Sequence, residues 1–229
     1  MSPRPRRLWV TRTQPQADAT AHKLRELGCA PVVAPVLETH AIDGALVDLN
    51  GVEAVAFTSR AAVAAFAALS PERELPVFAV GESTAAFARQ TGFLQVGPIG
   101  LGGDVQALAD RIATHAPRPG LVLTPTAKEP AADLTALLAR CGIAARSVAV
   151  YETTRTGLTA APADIDGVLI HSAKAGQAVA ALVSPEQART LTAYAISDAA
   201  AADLHKRGFA RILIADHPDE ASLLKRIEA

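Results

Sequence analysis

Ser147-Val148-Ala149-Val150-Tyr151-Glu152-Thr153-Thr154 is the stretch on which the reading of this chain turns. Apolar and polar residues alternate at period two and include β-branched and aromatic side chains, so the stretch reads as an extended strand. A second copy, Val33-Ala34-Pro35-Val36-Leu37-Glu38-Thr39, stands earlier in the chain, with Leu37 in the place of Tyr151 and Glu38-Thr39 matching Glu152-Thr153. Only the later copy carries a phenol. Two near-identical segments that differ by one ionisable group suggest that the difference is chemical.

The likeness extends outward from these two segments. Leu8-Trp9-Val10-Thr11 pairs with Leu121-Val122-Leu123-Thr124, Gly28 with Gly142, and Val55-Ala56-Phe57-Thr58-Ser59 with Val168-Leu169-Ile170-His171-Ser172. Phe78-Ala79-Val80-Gly81 pairs with Tyr194-Ala195-Ile196-Ser197, Gly92-Phe93 with Gly208-Phe209, and the segment from Asp104 to Ile112 with that from Asp219 to Ile227. The pattern is a tandem duplication, and its period is far too long for a solenoid.

Composition bounds the rest. A chain of 229 residues with 50% apolar side chains can fill one large core or two small ones, and the duplication favours two. A net charge of -1 leaves no Lys/Arg cluster for nucleic acid. Cys29 and Cys141 have neither a Cys-x-x-Cys partner nor metal-ligand spacing, which reads as two small buried residues in a reducing compartment. The basic opening, Met1 to Arg7, has no apolar run behind it, so a cytoplasmic protein without a membrane span is expected.

Taken in order, apolar runs at 8–11, 52–57, 76–80, 93–96, 121–124, 168–170, 194–196 and 211–214 read as strands. Helical patterns follow over 17–27, 61–69, 85–91, 131–141, 176–182, 201–206 and 220–227, and another helix is capped by Asp104. Gly28 is expected to close the first helix as its C-cap, and Gly81 to Thr84 to form a turn. Strands alternating with helices make parallel sheets covered on both faces, so the fold class is α/β, doubly wound and flavodoxin-like. Two divisions are compatible with this pattern. One is a single cut within 115–120; the other cuts at both extended copies, joining 1–32 to 155–229 in one lobe and leaving 41–146 as the second.

In an open parallel sheet, ligands bind beyond the carboxyl ends of the strands, where helix starts present unpaired N–H groups. Four junctions end in small polar residues: Thr58-Ser59, the turn Gly81-Glu82-Ser83-Thr84, His171-Ser172, and Ser197-Asp198. Each alone reads as a helix N-cap. Four at matching places suit carboxylates or phosphates without a basic patch. Arg12 and Lys128 follow matching strands and could reach an anion or remain surface charges. His171 is the one histidine placed for function, yet it forms no triad with Ser172, because no Gly-x-Ser-x-Gly elbow surrounds the serine. The glycine-rich stretch 97–103 matches neither the dinucleotide fingerprint nor a Walker loop and reads as a plain loop.

The ordered set Val10-Thr11-Arg12 with Pro15-Gln16-Ala17, Ala34-Pro35-Val36-Leu37-Glu38, Phe57-Thr58-Ser59, Phe78 to Thr84, and Val150-Tyr151-Glu152-Thr153 resembles the uroporphyrinogen-III synthase family over nearly the whole chain. The resemblance implies two flavodoxin-like lobes from the duplication, joined by extended β linkers at 33–40 and 147–154, which favours the double cut. It implies a lyase that needs no cofactor and no metal. Such an enzyme converts hydroxymethylbilane, a polycarboxylated linear tetrapyrrole, to uroporphyrinogen III with loss of water and inversion of ring D. By the same resemblance Tyr151 assists loss of the hydroxyl, and Thr58, Ser59, Thr84 and Ser172 hold acetate and propionate arms. Ala199-Ala200 stands where similar sequences carry a hydroxyl, and Arg60 sits one position from a common arginine. The implied partners are the small-molecule substrate and, transiently, the preceding pathway enzyme, the chain itself being a monomer. A reading from another class is an inactive two-lobe module that binds an acidic small molecule.

Overall fold

A computed structural model describes residues 5–97, 104–116 and 120–228. Along the chain come β1 (Arg7–Val10), α1 (Gln16–Glu26), β2 (Ala30–Val33), β3 (Leu37–Ala41), β4 (Val52–Phe57), α2 (Arg60–Leu69), β5 (Val77–Ala79), α3 (Glu82–Gln90) and α4 (Val105–His115). There follow β6 (Leu121–Ala127), α5 (Leu134–Arg140), β7 (Ala144–Arg155), β8 (Gly167–Ile170), α6 (Ala173–Leu182), α7 (Pro185–Ala188), β9 (Thr192–Ala195), α8 (Asp198–Arg207), β10 (Arg211–Ile214) and α9 (Glu220–Glu228). The protein is α/β, with two sheets in the orders β10-β9-β8-β1-β2 and β3-β7-β6-β4-β5.

The chain divides into two compact units, one reaching to Glu38 and resuming at Thr154, the other running from Thr39 to Thr153. Both division points fall inside strands, β3 and β7. Residues 147–153 belong to the second sheet, where β7 pairs in parallel with β6 from Ala144 to Tyr151. β3 lies on the other side of β7: Ile42 N–H donates to Val150 O at 2.9 Å, and the Thr39 and Thr153 hydroxyls meet at 3.3 Å. Strands paired by sequence occupy corresponding places in the two orders: β1 and β6, β2 and β7, β8 and β4, β9 and β5. Each sheet therefore draws strands from both halves of the chain.

The alternation of side chains along a strand sorts each core into two faces. In the first unit Trp9, Val168, Ile170, Ala193 and Ala195 pack on one side of the sheet with Ala175, Val179, Ala201 and Leu204 of α6 and α8. Leu8, Val10, Leu169 and Tyr194 face the other way, onto Leu24 of α1 and Leu223 and Ile227 of α9. The second unit repeats the division, with Val55, Phe57 and Val77 against α2 and Ala54, Ala56 and Phe78 against α4 and α5. Because both faces are covered, β8 is an unbroken buried run. No helix among the described residues is long and apolar enough to cross a membrane.

Several boundaries differ from the sequence reading. Leu27 is the C-cap of α1, and Gly28 follows it with a positive φ of 71°. The segment 93–96 is no strand: it touches β5 through one bridge, Val77 to Val96, because Phe93 turns into the core while Leu94 faces solvent. α3, α6 and α8 start at Glu82, Ala173 and Asp198, since each follows its cap at once, whereas α5 waits for Asp133, whose carboxylate accepts from Ala136 N–H at 3.0 Å. Asp104 caps α4 as expected, accepting from Ala107 N–H at 2.7 Å. The short α7 has no counterpart in the sequence reading. Residues 98–103 of the glycine-rich stretch and 117–119 of the segment 115–120 lie outside the described residues.

α6 and α8 approach closely enough that a Cβ on Gly176 would stand 2.1 Å from Ala200 O. Backbone cannot yield as a side-chain tip can. Gly176→Ala should therefore push the helices apart and lower stability by about 1–3 kcal/mol, read as a fall in the urea midpoint. An unchanged midpoint would mean that the two helices are not held at this distance.

Candidate functional site

The helix starts that follow the strand ends differ in how their first amides are satisfied. After β4, Ser59 is extended (φ -158°, ψ 156°) and its Oγ accepts from Ala62 N–H at 3.1 Å. After β8 and β9, Ser172 and Ser197 do the same for Ala175 N–H at 3.2 Å and Ala200 N–H at 3.3 Å. Gly81 precedes α3 with no side chain to cap it. Of the residues beyond it, Ser83 is exposed and Thr84 buried.

Within the second unit Tyr151 is fixed at both ends. Its carbonyl accepts from Lys128 N–H at 2.8 Å, its ring packs against the cluster of Val55, Phe57, Val63 and Leu123, and its hydroxyl lies 3.1 Å from Ser59 Oγ. The expected catalytic residue and one expected carboxylate contact are thus bonded to each other, over 92 positions of sequence. Thr58, beside Ser59, lines a cavity of about 270 Å³ together with Thr124, Thr126, Thr135, Ser147 and Asp133. Lys128 Nζ pairs with Glu152 at 3.2 Å on the surface. Arg60 lays its guanidinium over the Phe87 ring, 4.6 Å from the centroid.

Within the first unit Arg12 is engaged by its own protein. Its guanidinium donates to Glu220 Oε1 at 3.0 Å and to Thr20 Oγ1 at 3.3 Å, and Glu220 also takes bonds from Lys23 and Thr20. Burial opposes ionisation of Glu220, but those bonds and the Arg12 charge outweigh it and hold the carboxyl below its usual pKa. Glu220 escaped the sequence reading. It begins α9, and nothing local in the sequence announces its reach to Arg12.

His171 stands at the end of β8 with both ring nitrogens shielded from solvent and without a hydrogen-bond partner among the described residues. Burial, then the positive charges of Arg12 and Lys23, drive its pKa down to about 4, with Glu220 pulling the other way. It is therefore neutral near pH 7. Among the described residues, no group of three His, Cys, Asp or Glu side chains could hold a metal ion.

Comparison with known proteins adds the family. A family model, uroporphyrinogen-III synthase HemD, matches residues 18–225. The structure is similar to uroporphyrinogen-III synthetase from Helicobacter pylori, with a TM-score of 0.70, 20% identity and coverage of 98% of each chain. It is also similar to a mutant uroporphyrinogen III synthase from Thermus thermophilus, with a TM-score of 0.53, 16% identity and coverage of 98% of this chain and 97% of that one. At such identities the structural likeness speaks for the fold. No curated protein matches the sequence.

The depressed pKa of His171 gives a pH test. An unfolded histidine takes up its proton near pH 6.5, while the folded one resists until about pH 4. The stability due to neutral His171 is present above pH 6.5 and drains away as pH falls toward 4, by up to about 3 kcal/mol. Urea unfolding across that range should show the decline, and His171→Gln should flatten it. An equally steep decline in the variant would put the sensitivity elsewhere.

Proposed function

The chain belongs to the uroporphyrinogen-III synthase family, and we propose that it closes hydroxymethylbilane to uroporphyrinogen III with Tyr151 as the group that helps the hydroxyl leave. The reaction is that of a cyclising lyase of heme biosynthesis. The terminal C–O bond breaks, the oxygen departs as water, and the azafulvene left behind closes through a spiro intermediate that inverts ring D. Departure as hydroxide is costly, so a proton or a strong hydrogen bond must meet the oxygen as the bond breaks. A phenol held by its ring, its backbone and its hydroxyl supplies that donor without reorganisation. The observation that carries the reading is this immobilisation of Tyr151 in β7, where its pairing with β6 ends, beside the start of α2.

The substrate's carboxylates need partners that do not make the protein basic. Amides and hydroxyls at Thr58, Gly81 to Thr84, Ser172 and Ser197 meet that need, since helix N-termini favour anions. Lys128 gives up little in leaving Glu152, because an exposed ion pair is worth about 0–1 kcal/mol. Arg12 is more firmly held and supports the site through Glu220 in the free protein. The two units act as two lobes joined by the segments 33–40 and 147–154. We place the enzyme in the cytoplasm as a monomer that meets the bilane-forming enzyme transiently, since two free thiols and balanced charge suit a reducing compartment. Sedimentation should give the mass of one chain, and a stable dimer would contradict this.

Tyr151→Phe keeps the ring in its apolar surroundings and removes only the donor. Formation of isomer III should fall about 10- to 1000-fold with the urea midpoint little changed. Full activity in this variant would reduce Tyr151 to a packing residue.

A further inference from the structure

A serine at an N-cap and a serine bonded to a phenol are separate roles, and Ser59 has both. Its oxygen carries one proton and two acceptor sites. One acceptor site is taken by Ala62 N–H at 3.1 Å, and Tyr151 Oη lies at 3.1 Å on the other side. Among the described residues Ser59 is the one polar partner of that phenol. Ser172 and Ser197 show what the cap looks like without a tyrosine.

The direction of the Ser59–Tyr151 bond determines what the phenol can do. If Tyr151 donates to Ser59, its proton is occupied. If Ser59 donates, the phenol proton is free to point at a substrate oxygen. Accepting from an amide N–H polarises the serine hydroxyl, which makes it a better donor and a poorer acceptor. That polarisation favours the order in which bonds run from Ala62 N–H through the Ser59 hydroxyl to the phenol oxygen, with the phenol proton outermost. Negative charge gathering on that oxygen as the proton leaves is met by a hydroxyl already in place, at the positive end of the ten-residue helix α2.

We infer that Ser59 is a positioning residue for Tyr151, donating to the phenol oxygen and so fixing the direction of its proton, and is not a contact for a substrate carboxylate. The inference rests on the reading of Tyr151 as the donor to the leaving hydroxyl. It replaces the expectation, drawn from the resemblance, that Ser59 holds an acetate or propionate arm.

Three substitutions and two readouts test it. Ser59→Thr keeps both cap and hydroxyl, Ser59→Ala loses both, and Ser59→Asp keeps the cap but turns the donor into an acceptor. Turnover with hydroxymethylbilane should fall about tenfold or more in the Ala and Asp variants and be largely restored in Thr. In Ser59→Ala the loss should sit in kcat, with KM within about twofold. The Raman Fermi doublet of tyrosine distinguishes a donating from an accepting phenol. Tyr194 is the chain's other tyrosine, so a Tyr151→Phe spectrum isolates the Tyr151 signal. That signal should be of an accepting phenol in the native protein and in Ser59→Thr, and of a donating one in Ser59→Asp. A rise in KM at constant kcat for Ser59→Ala, or a Tyr151 signal unmoved by Ser59→Asp, would overturn the inference. The spectrum is taken without substrate, so it judges the Ser59–Tyr151 bond even if Tyr151→Phe proves fully active and the catalytic reading itself fails.

Discussion

A helix that begins at the end of a parallel strand has amide N–H groups that find no acceptor within the helix, and much of this protein's chemistry follows from how they are met. In the first unit Ser172 and Ser197 each satisfy one such amide with their side-chain oxygens. At Gly81 no side chain intervenes. A near-neutral protein can hold a polyanion on such groups because partial charges on fixed amides need no countercharge and little reorganisation. The covered sheets beneath supply the rigidity. Trp9, Phe57, Val168 and Ile170 are fully buried, so the strand ends have little freedom to drift.

The same arrangement explains why one strand end differs. β7 lies beyond β6 from β4, yet Tyr151 is long enough to reach the start of α2 from there. A leucine at that register, as in the earlier sequence copy, would fill the apolar space against Val55 and Phe57 but offer nothing to Ser59. Oxygen placement therefore depends on three things at once: the β6–β7 register, the amide of Lys128 on the Tyr151 carbonyl, and the extended backbone of Ser59. His171 illustrates the complementary choice. Buried near Arg12 and Lys23, it is held neutral, so it adds no charge beside the helix start it precedes.

Much of this was legible in the chain because it is local. Unbroken apolar runs such as Val168-Leu169-Ile170 announce parallel strands covered on both faces, and hydroxyl or carboxylate residues at 59, 104, 172 and 197 announce the helix starts. Part of what escaped depends on distance. The Arg12–Glu220 and Ser59–Tyr151 bonds span 208 and 92 positions and exist only once the strand order is set. The starts of α3, α6 and α8 lie three residues ahead of where periodicity puts them, because alanine, serine and charged residues in a first turn carry little periodicity of their own. The segment 93–96 has strand composition, yet the orientation of Phe93 and the solvation of Leu94 keep it to one bridge.

The central claim is that this chain steers ring closure toward the inverted isomer. Freshly generated hydroxymethylbilane, given to the purified protein and resolved by isomer after oxidation to the porphyrins, tests it directly. The account predicts uroporphyrinogen III in large excess, formed faster than the spontaneous uninverted isomer I. Isomer I alone, at the rate seen without protein, would contradict it.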